Sequence, residues 1–333
     1  MKPASALRHC AFCLRLSEFK LCGGCHKRAY CSKECQAVDW SPTGMGQHHK
    51  YWCKLDCGEE DVDFEIVPVP GKGFGVVAKR LIPAKYRIIV EGVHTNPWAH
   101  PAIKDLCPSY GSMEEKFETN KFTHNGIGVI GLRISRVNHD CNPNAGHIDA
   151  ISYADKSVEI LYANRDIQIG EEICISYFSA FSMDNQRLNA GLNADSEFKL
   201  IQHDLEDQYG IMCPSDCKCQ DMAVRELIIK GRRLNSNVTR QMRNGQPMAA
   251  LQGLNRLLAI QKMVPTSLIH TSNAHYDAFN AALACEDYLE QALTHARLTY
   301  EIRSSLTPHD DFVKKLGERI KSINSAVTNQ IFN

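Results

Sequence analysis

Short alternating runs of apolar and polar residues occupy the middle of the chain. From Phe64 to Gly92 the stretch FEIVPVPGKGFGVVAKRLIPAKYRIIVEG sets short runs rich in Val and Ile between Gly and Pro, and a similar run, ICISY, ends on Tyr177. Alternation bounded by turn residues is typical of β-strands with one buried face. The middle of the chain is therefore predicted to form small sheets of short strands.

Apolar residues recur at a helical period in the last third of the chain. In MAALQGLNRLLAIQKM (248–263) and AHYDAFNAALACEDYLEQALTHARLTYEIRSSL (274–306) they return every three or four positions, which places them on one face of a helix. Residues 280–302 are similar to a tetratricopeptide-type helical hairpin, and Cys285 is expected in its core. We expect these helices to cap the central region or to form one wall of a groove.

Composition disfavours two classes of protein. The 333 residues carry 38 Lys and Arg against 38 Asp and Glu, a balance that does not favour nucleic-acid binding. The chain has no apolar run near the roughly 18 residues of a membrane span, and MKPASALRHCAFC has polar and basic residues where a signal peptide has its apolar core. We therefore expect an intracellular protein without membrane contact, in the nucleus, the cytoplasm or both.

Cysteine departs most from ordinary usage. Seven of the 15 cysteines lie between residues 10 and 53, and an odd count without a secretory signal favours metal thiolates over disulfides. Four pairs follow one another, two as C-x2-C and two at i, i+4: Cys10 with Cys13, Cys22 with Cys25, Cys31 with Cys35, and His49 with Cys53. Eight ligands in such pairs predict two tetrahedral zinc sites. His48 is the alternative to His49, which the H-x3-C spacing favours.

This order of pairs, including CQAVDW before the last pair, resembles the MYND zinc finger. The resemblance implies interleaved sites, with Cys10, Cys13, Cys31 and Cys35 around one zinc and Cys22, Cys25, His49 and Cys53 around the other. It also implies protein partners, often proline-containing peptides. Residues 1–57 hold nine Lys or Arg and four Asp or Glu, but seven thiolates and two zinc ions together add about −3, so the finger is only mildly basic.

Three motifs occur in a fixed order in the strand-rich region: GKGFG (71–75), NHDCNPN (138–144) and GEEICISY (170–177). Alone, GKGFG is more typical of a strand bend than of a phosphate loop, since no GK[ST] follows it. The polar 138–144 stretch alone fits a tight loop or a metal site. The ordered set resembles the SET domain of protein lysine methyltransferases over about residues 62–219.

The resemblance implies a pseudoknot, in which the 138–144 loop packs against the segment ending in Tyr177, and a binding site for S-adenosylmethionine. The implied cofactor contacts are Lys72, Gly73, Phe74, Asn138, His139 and Tyr209. Two positions depart from the family: Asp140 replaces the usual serine, and Ile211 stands where an aromatic residue would lie against the adenine. Both departures concern cofactor affinity.

A second cysteine cluster follows, with Cys213, Cys217 and Cys219. Three cysteines are one ligand short of a tetrahedral site, and the resembling family supplies the fourth from the position of Cys141. The resemblance therefore implies a third zinc ion and makes Cys141 a ligand rather than a nucleophile. The spacing C-x3-C-x-C departs from the commoner C-x-C-x2-C.

The chain is thus predicted to be an α+β protein with four parts: a MYND-type zinc finger (1–57), a SET domain of short β-sheets with a pseudoknot (58–180), a post-SET segment with zinc-binding cysteines (181–220) and a tetratricopeptide-like α-helical domain (221–333). The implied function is S-adenosylmethionine-dependent methyl transfer to the side-chain amine of a protein lysine, histone or non-histone, with Tyr177 orienting the methyl group and the amine. One alternative is a SET-derived scaffold that has lost catalysis and binds partners through the finger. A zinc-finger nucleic-acid binder is the other, disfavoured by the neutral charge.

Overall fold

The computed structural model describes residues 7–41, 48–96, 98, 100–106, 111–124, 126–153, 156–177, 194–285 and 287–331. The chain divides into two compact units, one of Met1–His139 with Asn144–Ile175 and one of Asp140–Pro143 with Ser176–Asn333. The cysteine-rich segment and the strands share the first unit. The predicted boundaries at residues 57, 180 and 220 stay predictions.

The described part of the first unit contains short strands, as the alternating pattern predicted. Their bounds are β1 (Leu7–His9), β2 (Leu16–Glu18), β3 (Lys20–Leu21), β4 (Ala29–Tyr30), β5 (Phe64–Val69), β6 (Gly73–Ala78), β7 (Arg87–Gly92), β8 (Phe122–His124), β9 (Ile127–Val129), β10 (Asn138–His139), β11 (Ala145–Tyr153), β12 (Lys156–Ala163) and β13 (Glu172–Ile175).

Two sheets form the main layers of this unit. One has the strand order β10-β13-β6-β5, and the other has the order β11-β12-β7. Val76, Ile88, Ile160 and Ile173 from these strands are fully buried, and complete burial of such a side chain stabilises the fold by about 1.5–3 kcal/mol. The pairs β1-β2, β3-β4 and β8-β9 form separate two-stranded sheets.

Helices make up most of the described second unit. The first unit holds α1 (Lys33–Trp40) and α2 (Met113–Asn120), and the second holds α3 (Ala194–Tyr209), α4 (Met222–Arg243), α5 (Pro247–Gln261), α6 (Leu268–Leu283), α7 (Leu289–Leu306) and α8 (Asp311–Ile331). The described helices include none that combines the length and the apolar character needed to cross a membrane. The α+β fold class is confirmed.

Small residues bring the helices of the second unit together. Ala278, Ala292 and Ala296 are fully buried between α6 and α7. Gly253 on α5 lies against α4, where an added Cβ would stand 2.9 Å from Val238 Cγ2. Close packing of this kind needs a missing or minimal side chain at the contact.

Cys285 does not lie in the core as expected. It is only partly buried, and α6 ends two residues earlier, at Leu283. The helical period predicted a buried position, but Cys285 stands in the turn before α7, where that period no longer sets which side chains face inward. Its Sγ donates a hydrogen bond to Ala281 O at 3.3 Å.

Candidate functional site: three cysteine clusters and a sheet-edge loop

The first cluster gathers Cys10, Cys13, Cys31 and Cys35, whose ligand atoms all lie within 4.8 Å of one another. Cys10 is fully buried, whereas Cys31 is exposed. Cys35 lies in the first turn of α1, which begins where the Ser32 side chain accepts a hydrogen bond from Cys35 N. The helix start thus sets the position of the last sulfur.

The second cluster gathers Cys22, Cys25, His49 and Cys53, again within 4.8 Å. These are the two interleaved sets that the MYND resemblance implied. His48, the alternative to His49, lies outside the cluster, with its Nδ1 3.1 Å from Ser41 O.

Both C-x2-C pairs are formed by the same turn. Leu14 N donates to Cys10 O at 3.0 Å, and His26 N donates to Cys22 O at 2.9 Å. Leu14 and His26 both have a positive φ, 58° and 55°, a conformation that costs energy for residues other than glycine. This repeated, strained turn places the two cysteines of each pair on the same side of the turn, where both sulfurs can face one metal ion.

A buried chain of hydrogen bonds fixes the ring of His49. Arg28 pairs with Asp39 at 2.8 Å, and Tyr30 Oη lies 2.6 Å from Asp39 Oδ2 and 2.9 Å from His49 Nδ1. Burial raises the pKa of Asp39, but the charge of Arg28 and the hydrogen bonds outweigh it and leave that pKa below its usual value. An ionised Asp39 only accepts, so Tyr30 donates to Asp39 and accepts from the Nδ1–H of His49.

This hydrogen-bond direction leaves the lone pair of His49 on Nε2, which lies 3.7 Å from Cys25 Sγ inside the cluster. Burial lowers the pKa of His49 to about 3, so the ring is neutral. A neutral imidazole with Nδ1–H held by a partner is the usual state of a zinc ligand. The sequence showed no fixed spacing that pointed to Tyr30 or Asp39.

The third cluster lies in the second unit and gathers Cys141, Cys213, Cys217 and Cys219 within 4.8 Å. Cys141 Sγ and Cys213 Sγ are 3.6 Å apart. Burial and the neighbouring cysteines raise the pKa of the Cys141 thiol because they disfavour its thiolate form. Four thiolates can therefore share this spacing only with a cation that offsets their charge. The donor set therefore fits zinc.

Arg225 on α4 holds the loop of this cluster. Its Nε donates to Cys219 O at 2.6 Å and its Nη2 to Gln220 Oε1 at 2.6 Å. The guanidinium lies 4.6 Å from the centroid of the Phe198 ring on α3, and Arg225 is buried. One side chain thus joins α3, α4 and the cysteine loop, a role that sequence patterns did not indicate.

Three motifs meet at the edge of the first sheet, around Glu172. Asn138 Nδ2 donates to Glu172 Oε1 at 2.8 Å and to Phe74 O at 3.1 Å. Lys72 Nζ lies 2.9 Å from Glu172 Oε2. The turn before β6, the strand β10 and the strand β13 are therefore joined by side chains, and β10 runs parallel to β13. Glu172 belongs to the GEE motif but had no predicted role.

Two glycines, Gly73 and Gly75, leave space beside Glu172 and Asn138 at this edge of the sheet. A Cβ on Gly75 would stand 2.7 Å from Val69 Cγ2, 2.8 Å from Glu172 Oε1 and 2.9 Å from Asn138 Nδ2, so any larger residue would have to displace these side chains. Gly73 has φ +74°, and a Cβ built on it would meet nothing within 4 Å. Lys72 and Phe74 are exposed beside it. An accessible backbone between a cationic and an aromatic side chain fits a charged, partly planar ligand such as S-adenosylmethionine.

Asn144 closes the 138–144 loop onto β13. Its Nδ2 donates to Glu171 Oε1 and Glu172 O at 2.9 and 2.8 Å, and its Oδ1 accepts from Cys174 N at 2.8 Å. The side chain is buried and substitutes for a backbone rung. This residue stands in the quoted motif, but sequence reasoning assigned it no function.

Asp140 supports the loop instead of disturbing it. Its Oδ1 accepts from Asn142 N at 2.7 Å, an Asx-type turn that a serine hydroxyl forms in a similar way. The replacement of serine by aspartate is therefore compatible with the loop.

Two further predicted residues, Tyr177 and Tyr209, lie in the second unit. Tyr177 and Tyr209 are neighbours, with ring centroids 4.8 Å apart at an interplanar angle of 53°. Lys72, Gly73 and His139 belong to the first unit. The structure thus brings the predicted residues together in two groups, one in each unit.

Comparisons with known proteins agree with the MYND and SET resemblances of the sequence. The family model of the SET domain matches residues 73–178, and that of the MYND finger matches residues 10–53. The histone-lysine N-methyltransferase Set5 of Schizosaccharomyces pombe is 26% identical over 196 residues, covering 49% of this chain and 53% of that protein. This chain therefore matches about half the length of that relative.

A crystal structure of a proposed histone methyltransferase of Plasmodium falciparum is also similar, at 20% identity and a TM-score of 0.27, over 35% of this chain and 93% of that chain. The motifs, their order and the two family matches carry the assignment: this chain contains a MYND finger followed by a SET domain.

Proposed function

We propose that the chain is a protein lysine methyltransferase that uses S-adenosylmethionine. The observation that carries this proposal is the meeting of three SET motifs at Glu172, which holds Lys72 and Asn138 beside the open backbone of Gly73. The similarity to a histone-lysine methyltransferase supports the reaction class. The domain boundaries and site residues predicted above are part of the same proposal.

In this proposal, bound S-adenosylmethionine supplies a methyl group on a cationic sulfur. Lys72, Gly73 and Phe74 contact the cofactor with backbone and side chain, and Asn138 and His139 bind it from the neighbouring strand. Tyr209 lies against the adenine. Glu172 orients Lys72 and Asn138, so it acts by positioning them.

The acceptor is the side-chain amine of a protein lysine, histone or non-histone. An amine attacks only when neutral, and the usual pKa of lysine is about 10.4. Burial in an apolar channel lowers that pKa because it disfavours the charged ammonium form. We assign to Tyr177 the role of orienting the amine through its hydroxyl group.

Three zinc ions complete the proposal, one in each cysteine cluster. The two finger ions would hold the MYND fold, and the third would join the 140–143 loop to the segment at 213–219. We also propose that the finger binds protein partners, including proline-containing peptides. Nuclear or cytoplasmic location stays a prediction from the sequence.

The first test is calorimetric titration of S-adenosylmethionine into the zinc-loaded full chain. We expect wild-type protein to bind and Gly75→Ala to lose binding at least tenfold, because its Cβ would displace Glu172 and Asn138 as well as Val69. Gly111→Ala is the matched control, since its Cβ would have only an ordinary contact at 3.6 Å with Glu115 Oε2. A wild-type protein that binds no cofactor at millimolar concentration would favour the scaffold.

A second test separates binding from catalysis. Transfer of a labelled methyl group to core histones and to a cell extract is measured for wild type and Tyr177→Phe, with cofactor affinity measured in parallel. We expect the variant to retain cofactor binding and to lose transfer at least a hundredfold. Full transfer by Tyr177→Phe would remove this tyrosine from the mechanism.

A further inference from the structure

An open groove runs along α4 and α5 in the second unit. It has a volume of about 630 Å3 and continues into a second hollow of about 210 Å3, with Leu234, Asn237 and Arg256 lining both parts. On α4 the lining residues recur every three or four positions from Glu226 to Gln241. At 1.5 Å per residue this face extends roughly 22 Å along the helix.

The groove combines an apolar floor with a cationic rim. Ile229 is buried and Leu234 half-buried, and together they supply apolar surface on α4. Lys230, Arg233 and Arg256 are exposed around them. Glu226 is the one acidic residue that lines either part of the groove, within the region that the structure describes.

Local charge differs sharply from that of the whole chain. Three Lys or Arg side chains and one Glu line the described groove, whereas the full sequence is balanced at 38 of each sign. A cluster of one sign beside a low-dielectric wall raises the local concentration of opposite charge. The groove therefore attracts anionic groups although the protein as a whole is neutral.

We propose that this groove binds an acidic segment of a partner protein, with an aliphatic or aromatic side chain over Ile229 and Leu234 and carboxylates beside Lys230, Arg233 and Arg256. A nucleic-acid backbone needs cations but gains little from an apolar floor, so the floor favours a peptide. This site lies outside the residues proposed for methyl transfer and does not depend on that activity.

The test uses the zinc-loaded full chain and a phage-displayed library of random 12-residue peptides. Peptides retained by wild type are sequenced, and the most enriched peptide is synthesised with a fluorescent label for anisotropy titration at two salt concentrations. The variant Arg233→Glu with Arg256→Glu reverses two charges of the rim. Arg243→Glu is the matched control, because Arg243 is an exposed residue of the same helix that does not line the groove.

We expect enriched peptides in which Asp or Glu flanks an apolar residue. Affinity should fall at least tenfold in the double variant and stay within about twofold in Arg243→Glu, and added salt should weaken binding. Thermal melting of both variants checks that they fold.

Three results would overturn the proposal: no enrichment over the starting library, enrichment of neutral or basic peptides, or equal binding by the double variant. A 20-base-pair DNA duplex is titrated as well. If the duplex binds wild type more tightly than the peptide and loses that binding in the double variant, the groove is a nucleic-acid site instead.

Discussion

At the scale of single residues, the direction of one hydrogen bond decides which nitrogen of His49 faces the second cluster. Because Asp39 is ionised and accepts from Tyr30, the Tyr30 oxygen accepts from His49 Nδ1. Removing the Tyr30 hydroxyl would free the ring to rotate and would leave Nδ1–H without its buried acceptor.

We expect Tyr30→Phe to release one zinc ion about ten to a hundred times more readily than wild type. The measurement is the rate of zinc transfer to a coloured chelator, followed by absorbance. Tyr51→Phe, a tyrosine of the same cysteine-rich segment outside both clusters, should release zinc at the wild-type rate. Equal rates for Tyr30→Phe and Tyr51→Phe would mean that the hydroxyl group does not position His49.

Asn144 gives a second prediction at this scale. Asn144→Ala removes two donated bonds and one accepted bond within the first unit, and it leaves the buried Cys174 N–H without its acceptor. We expect the free energy of unfolding to fall by about 2–4 kcal/mol. Urea unfolding measures it, and Asn142→Ala, at an exposed position of the same loop, should change it by less than about 0.5 kcal/mol.

Residue spacing explains which parts of the site were predictable. The metal-ligand pairs of the finger repeat at short fixed intervals, so the sequence alone predicts them. Tyr30, Asp39 and Arg225 follow no such interval, because their roles depend on which segments meet in the fold. Glu172 and Asn144 lie in recognised motifs, yet their partners only become visible once β10 and β13 are paired.

At the scale of elements, two histidines join α6 to α7. His275 Nδ1 and His295 Nδ1 are 2.9 Å apart, and His295 is buried. One nitrogen must donate and the other accept, so the pair holds a single hydrogen bond only while at least one ring is neutral. Burial, then His295 and Lys262, lower the pKa of His275 to about 4.

This pair predicts a pH-dependent stability. The usual pKa of His275, 6.5, applies to the unfolded chain, which therefore binds more protons than the folded chain between pH 6.5 and about 4. The contribution of His275 to the free energy of unfolding should be fully present above pH 6.5. The free energy of unfolding should fall by about 1–3 kcal/mol as the pH drops to 4. Chemical unfolding of the second unit is measured at a series of pH values.

His275→Gln should flatten this slope, whatever its effect on stability at neutral pH. His203→Gln, at an exposed position on α3, should leave the slope unchanged. A slope that persists in His275→Gln would assign the pH dependence to other groups.

The pattern of elements was mostly predictable, with one instructive error. Alternating runs located β5, β6 and β7, and the helical period located α5, α6 and α7. The predicted core position of Cys285 was wrong because neither Gly nor Pro follows Leu283 to mark the end of α6. The apolar period continues through the turn. The helix nevertheless ends at Leu283, and tertiary context of this kind cannot be read from local sequence.

At the scale of the whole molecule, the finger and the SET strands belong to one unit. Arg133 is buried, and it donates to Ala11 O at 3.2 Å and pairs with Glu60 at 2.7 Å. His9 N donates to Asp61 Oδ2 at 2.6 Å. Disorder in the finger would remove Ala11 O as the acceptor of the buried Arg133 guanidinium, and a buried group without its hydrogen-bond partner is destabilising, so the effect should reach the sheets.

We therefore expect Cys22→Ser, which removes one ligand of the second cluster, to speed amide hydrogen exchange in β7 as well as in the finger. Hydrogen exchange with mass spectrometry measures both regions. Cys285→Ser, at a cysteine outside all three clusters, is the control and should leave β7 unchanged. Faster exchange confined to residues 10–53 would mean that the finger unfolds independently.

The 140–143 loop has a consequence for how the protein is made. Cys141 and Cys213 are 72 positions apart in the chain, and a ribosome adding roughly 5–20 residues per second needs about 4–14 s to synthesise that interval. Cys141 is therefore synthesised several seconds before its three partner cysteines exist. Translation speed between these two codons therefore sets how long an early thiol waits for its metal.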